Sequence, residues 1–132
     1  MKKLCKLLVV LVFAGCAGSG KVQDTEYVRH VILWTMTDEL TVQQKTEILD
    51  DLSLAVEQLE KSVPGAVSFD VLYMDRLESS NCDFMFDFVF ESAKALEDFA
   101  SNPDHLASAG KIRPYITGRT CLDISVPAKK KQ

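Results

Sequence analysis

Histidine is scarce in this chain. Of 132 residues only His30 and His105 are histidines, and Trp34 is the sole tryptophan. Neither histidine falls with Cys5, Cys16, Cys82 or Cys121 at zinc-ligand spacing, so sequence spacing implies no metal, and no cofactor is implied either. There is no Gly-rich phosphate loop, no Ser/His/Asp arrangement and no paired-carboxylate motif. Basic charge is short as well. The formal net charge is −4, and Lys2, Lys3 and Lys6 stand alone in the first fifteen residues, leaving twelve basic against nineteen acidic residues beyond them. Phosphate backbones need a basic surface, so nucleic acid is excluded as a partner. The terminal Lys129-Lys130-Lys131 run is too short to reverse this and reads as a solvated tail. Long apolar runs are absent too: Leu7 to Ala14 is well under the roughly 20 residues that span a bilayer as a helix.

What remains is the composition of one globular domain, 47% hydrophobic and 26% charged. The stretch Tyr27 to Met36 reads as a strand, rich in β-branched and aromatic residues. Val28, His30, Ile32, Trp34 and Met36 share one face. Arg29, Val31 and Leu33 lie on the other, which is apolar enough for a central strand covered on two sides. Thr41 with Gln44 fits a capping box, and Ile48, Leu52, Ala55, Val56, Leu59 and Val63 give the helix that follows one apolar face, ended by Pro64-Gly65. Val67, Phe69, Val71 and Tyr73 alternate in a second strand. Residues 83–90 form a third, with Phe84, Phe86, Phe88 and Phe90 on one face. Ser92 caps a helix that buries Ala95, Leu96, Phe99 and Ala100. Asn102-Pro103 starts another, which runs to about Ile112. Residues 115–119 turn back into a last strand, Thr120 to Val126.

The order βαββαβ predicts an α+β, ferredoxin-like fold: a four-stranded antiparallel sheet, strand order 4-1-3-2, with helices on one face. That order separates Cys82 and Cys121 by two strand spacings, roughly 9–10 Å, too far for a disulfide within one chain. The opposite face would expose Val31, Leu33, Leu72, Met74, Met85 and Val89. Such a patch points to a homodimer formed sheet against sheet, with Arg29, Asp70, Asp87 and Asp123 at its rim or paired across it.

Residues 1–15 read as a signal peptide. The run Phe13-Ala14-Gly15-Cys16 resembles the bacterial lipobox, which implies lipidation at Cys16; plain secretion and an uncleaved anchor are the alternatives. Residues 16–26 would then be a lipidated tether, 27–126 the folded domain and 127–132 a basic tail. Ala17 after the cysteine favours the outer over the inner membrane of a bacterial cell envelope.

Three segments together resemble the stress-responsive A/B barrel family, also called Dabb: Val28 to Trp34, Pro64-Gly65, and Asp83 to His105. The last contains Phe90-Glu91-Ser92 and Asn102-Pro103-Asp104-His105. The resemblance implies a dimeric α+β barrel. It also implies a pocket between sheet and helices. In the plant polyketide cyclase of that family, which makes olivetolic acid, a histidine aligned with His105 is the base. A pocket histidine there aligns with His30. An assisting tyrosine aligns with Phe99, which has no hydroxyl, so the cyclase activity does not carry over. The pocket residues expected are His30, Ile32, Trp34, Phe84, Phe86, Phe88, Phe99 and Tyr115, with His105 as the one catalytic candidate. Each also fits a bland role in an ordinary core or as a helix anchor. The reading favoured is a membrane-tethered protein of this kind that binds a small apolar or aromatic molecule or acts in stress response. A lyase, cyclase or isomerase using His105, and a ferredoxin-like monooxygenase, are the alternatives.

Overall fold

The computed structural model describes residues 26–127. Residues 1–15, read from sequence as a signal peptide, Cys16 and the Lys129–Lys131 run lie outside the described residues. The chain runs β1 (Glu26–Met36), α1 (Val42–Ser62), β2 (Ala66–Leu72), β3 (Phe84–Phe90), α2 (Ala93–Ala100), α3 (Pro103–Ile112), a 3-10 turn (Arg113–Tyr115) and β4 (Ile116–Pro127). The sheet has the order β2-β3-β1-β4, and every pairing is antiparallel. This is the α+β, ferredoxin-like arrangement that the element order predicts.

Local signals place the elements. Thr41 Oγ1 accepts from the Gln44 N–H and the Gln44 side chain accepts from the Thr41 N–H, closing the capping box of α1. Asn102 Oδ1 accepts from the N–H groups of Asp104 and His105, at 2.9 and 3.2 Å, with Pro103 at the first helical position. Gly65 adopts a positive φ of 78°, and a Cβ there would stand 2.5 Å from that of Ala95. The turn into β2 thus needs a glycine twice over, for its backbone and for its close approach to α2.

The core lies between the helices and one face of the sheet. Val28, His30, Ile32 and Met36 of β1 are buried there, beside Phe84, Phe88 and Phe90 of β3 and Phe69 of β2. From α1 come Leu49, Leu52, Val56 and Leu59, and from α2 Phe99. Phe90 is fully enclosed, 5.0 Å from Phe69 and 5.2 Å from Phe99 between ring centroids. Removing a ring so placed costs about 3–5 kcal/mol. Asp83 ties the strand ends together. Its Oδ2 accepts from the Met36 N–H at 2.7 Å and its Oδ1 from Lys45 Nζ at 3.1 Å. Burial alone would raise its pKa; the Met36 N–H, Lys45 and Arg76 outweigh that and hold it below the usual value.

Several expectations are corrected in detail. The last strand begins at Ile116, not Thr120, because Pro114 ends α3 in a single 3-10 turn that leads straight into β4. Leu49 is buried on α1, while Ile48 and Ala55 are only half-buried. Ala100 is exposed at the end of α2. Val67 is exposed because the register shifts between Ala66 and Ser68, which takes it out of alternation with Phe69. Within the single chain, only one face of β1 is covered. On the other, Leu33, Leu72, Leu122 and Ile124 are exposed.

Candidate functional site

Cross-strand register builds the site row by row. Residues directly opposite share a face, so His30 stands between Phe88 of β3 and Asp123 of β4. In the next row Ile32 stands between Phe86 and Cys121, and beyond it Trp34 stands between Phe84 and Arg119. Each row is aromatic on the β3 side and polar on the β4 side. The helices pack chiefly over β1, β2 and β3, leaving this row of β4 open.

Above the rows lies a cavity of about 510 Å³, floored by the sheet and roofed by α1, α2 and α3. His30, Ile32, Trp34, Phe86, Phe88, Phe99 and His105 line it. Phe84 does not. It stacks on Trp34, 6.0 Å between centroids, and is buried. Tyr115 lines a separate hollow between α1 and α3, because the 3-10 turn carries it past the end of the main cavity.

The two histidines are held differently. His30 Nδ1 donates to a carboxylate oxygen of Asp123. This orients the ring and leaves Nε2 as its acceptor when neutral. His30 is nine-tenths buried, whereas the Asp123 side chain is half exposed. His105 stacks on Phe99 with centroids 4.0 Å apart, and its Nδ1 is buried without a hydrogen-bond partner. Burial pushes the His105 pKa below its ordinary value; the nearby backbone of Phe99 and Ala100 opposes the shift without reversing it, and His30 adds to it. Trp34 Nε1 is likewise buried without a partner, and the Arg119 guanidinium lies 5.5 Å from the Trp34 ring centroid.

Asp123 is a correction. The expected place for it was the rim of the outer face with Arg29, Asp70 and Asp87. Leu122 and Ile124 take the outer face instead, so alternation turns Asp123 inward, beside His30. Arg29 and Asp87 do share the outer face, where Arg29 Nε donates to Asp87 at 2.7 Å within one chain. Asp123 and Cys121 are the site residues that spacing alone does not reveal. The usable signal is the strict alternation of β4 read against the register of β1. Cys82 and Cys121 are both free thiols.

The depressed pKa of His105 makes a pH expectation. Above about 6.5, its ordinary value, the ring is neutral in folded and unfolded chains alike and nothing is lost. As pH falls through that value the unfolded chain takes the proton first, and stability drops until the folded pKa is passed. His105→Phe keeps the stack on Phe99 and removes the titration. It is expected to flatten the loss of stability between about pH 7 and pH 5 in urea unfolding. An unchanged slope would show that His105 is not held neutral. The lowered carboxyls of Asp83 and Asp87 contribute only at more acid pH, because their ordinary value is 3.8.

Comparison with known proteins places this geometry. The family model for the Stress responsive A/B Barrel Domain, Dabb, matches residues 28–126. Among curated protein sequences no relative matches the chain. Similar solved structures include a dimeric protein of unknown function and ferredoxin-like fold from Bacteroides fragilis. It has 18% identity and a TM-score of 0.70 over 76% of this chain and 96% of that one. A Dabb family protein from Mesorhizobium loti has 19% identity and a TM-score of 0.60, over 79% and 99%. The hydroxynitrile lyase from Passiflora edulis has 14% identity and a TM-score of 0.64, over 81% and 99%. At these identities the likeness is one of fold. The family model, by contrast, spans nearly all the described residues, and the chain belongs to the stress-responsive A/B barrel (Dabb) family.

Proposed function

We propose that this Dabb domain binds a small apolar or aromatic molecule carrying one hydroxyl or carbonyl group. The carrying observation is a mostly apolar cavity of about 510 Å³ whose wall residues Trp34 and His105 each hold a buried polar atom without a partner. That volume lies within the roughly 300–1,000 Å³ of small-molecule sites. Polar atoms buried without partners are costly, and a ligand's polar group reaching either would satisfy what the protein does not. The aromatic wall of Phe86, Phe88 and Phe99 suits a flat ring.

A second reading rests on the histidine pair. His105, kept neutral by burial, could take a proton from a bound substrate, and His30 is oriented by Asp123. The catalytic role of His105 and the ligand-binding role of the cavity share one experiment. A naphthol probe is expected to quench the emission of Trp34, the chain's one tryptophan, saturably. Ala109→Phe, which fills the cavity from α3, is expected to abolish the quenching. His105→Ala is expected to weaken it about tenfold, roughly 1.4 kcal/mol, and to stop any turnover. Absence of saturable quenching would overturn the binding reading; turnover surviving His105→Ala would remove the base.

Two further parts of the proposal concern assembly and place. The exposed Leu33, Leu72, Leu122 and Ile124 on the outer face support a homodimer formed sheet against sheet, and the Bacteroides fragilis protein of like fold is dimeric. Lys2, Lys3, Lys6, the apolar run and Cys16 support a lipid tether to the membrane of a bacterial envelope, the outer membrane above the inner. Leu122→Lys is expected to convert the dimer to monomer in light scattering, and a wild-type monomer would reject the interface. Cys16→Ser is expected to move the protein from the membrane pellet to the soluble fraction; a wild-type chain already soluble would reject the tether.

A further inference from the structure

Three side chains with metal-binding atoms meet at the open β4 edge. His30 Nδ1, Cys121 Sγ and an Asp123 carboxylate oxygen all lie within 4.8 Å of one another. Sγ is 3.8 Å from Nδ1 and 3.7 Å from Oδ1. They come together by strand pairing, since His30 and Cys121 are 91 residues apart. Asp123 is directly opposite His30, and Cys121 is two residues along the same row of β4. Two paired strands therefore hold all three, which fixes their spacing more firmly than a loop would.

The distances suit a tetrahedral ion. With zinc about 2.3 Å from sulfur and about 2.0–2.1 Å from nitrogen, a sulfur–nitrogen edge is about 3.5 Å. Both sulfur edges here are within a few tenths of an ångström of that. The third edge, between His30 and Asp123, is a hydrogen bond, and it would open as the ion replaces the shared proton. The donors are an imidazole, a thiol and a carboxylate, a set that favours a borderline-soft divalent ion over calcium or magnesium. A thiolate and a carboxylate together balance its two charges. Cys121 and Asp123 are exposed, so the fourth position faces solvent, which leaves an exchangeable place of the kind catalytic zinc sites keep.

We propose that His30, Cys121 and Asp123 form a binding site for a divalent transition metal of the zinc type, open at its fourth position. The site lies beside the cavity and shares only His30 with its wall. Its donor set is complete whether or not the cavity is filled. Burial and Asp123 raise the pKa of the Cys121 thiol, while Arg119 opposes them, so binding must displace a proton from sulfur; the neutral imidazole frees Nδ1 by carrying its proton on Nε2 instead.

The test is titration of the full, reduced chain with cobalt(II), then zinc(II). A variant with serine at Cys5, Cys16 and Cys82 isolates Cys121. That variant is expected to take one equivalent of cobalt with a thiolate-to-cobalt charge-transfer band, and zinc is expected to displace it. Cys121→Ser in the same background is expected to abolish the band. Asp123→Asn and His30→Gln are each expected to weaken the affinity at least tenfold, with unchanged far-ultraviolet circular dichroism showing that the fold persists. No saturable band in the isolating variant would overturn the proposal. So would full affinity in both Asp123→Asn and His30→Gln. Because naphthol binding reads the cavity and cobalt reads the edge, either can fail while the other stands.

Discussion

The pairing of β1 with two neighbours is the constraint on which the rest of the structure depends. Its side chains alternate, so fixing its register against β3 and β4 decides at once what every row presents to the helices. A slip of one residue would send His30, Ile32 and Trp34 to the outer face and bring Arg29, Val31 and Leu33 under the helices. The β3 phenylalanines resist such a slip. Phe84, Phe86, Phe88 and Phe90 stand opposite Trp34, Ile32, His30 and Val28, and Phe69 stacks on Phe88 at 4.3 Å between centroids. Register is therefore specified by burial, and the polar row on β4 inherits its place from that same register.

Much of the fold is legible in the sequence because local signals and global pattern agree. The Thr41–Gln44 box, the Asn102-Pro103 start and the phenylalanine alternation each mark an element, and their order leaves few topologies. The departures have physical causes that a local reading does not contain. The bulge near Ala66 breaks alternation, so Val67 turns outward although it fits the pattern of Phe69. Pro114 stops a helix, but whether a loop or a strand follows depends on β1 being there to pair with Ile116.

The site is less legible for a related reason. His30 and His105 stand out as scarce residues on apolar faces, and both line the cavity. Asp123 does not stand out, because an acid in a strand that alternates with Leu122 and Ile124 looks like a solvated residue on an edge. Its chemistry comes from its neighbour across the ladder, 93 residues away. Phe84 and Tyr115 show the opposite limit. They have the right residue types for a pocket wall, but the depth of a row and the path of a 3-10 turn place them outside the main cavity.

His30 joins two environments that are otherwise separate. One ring nitrogen is engaged at the polar edge, and the ring itself forms part of the aromatic wall, 6.4 Å from Phe88 between centroids. Whatever is bound at Nδ1, a carboxylate through a proton or a metal ion, changes the charge and hydrogen-bonding capacity of the same ring within the cavity. Were an ion held at the edge, a ligand that used the ring would change its affinity by the same factor, because linkage between two binding equilibria is reciprocal. The coupling needs no moving element between the sites, only one imidazole whose two nitrogens cannot be tuned independently. His105 has no such connection. Its Nδ1 is buried without a partner, and burial rather than a carboxylate sets its protonation. The two histidines are therefore set by different surroundings: burial lowers the pKa of His105 within the cavity, while His30 is shared between the cavity wall and the polar edge.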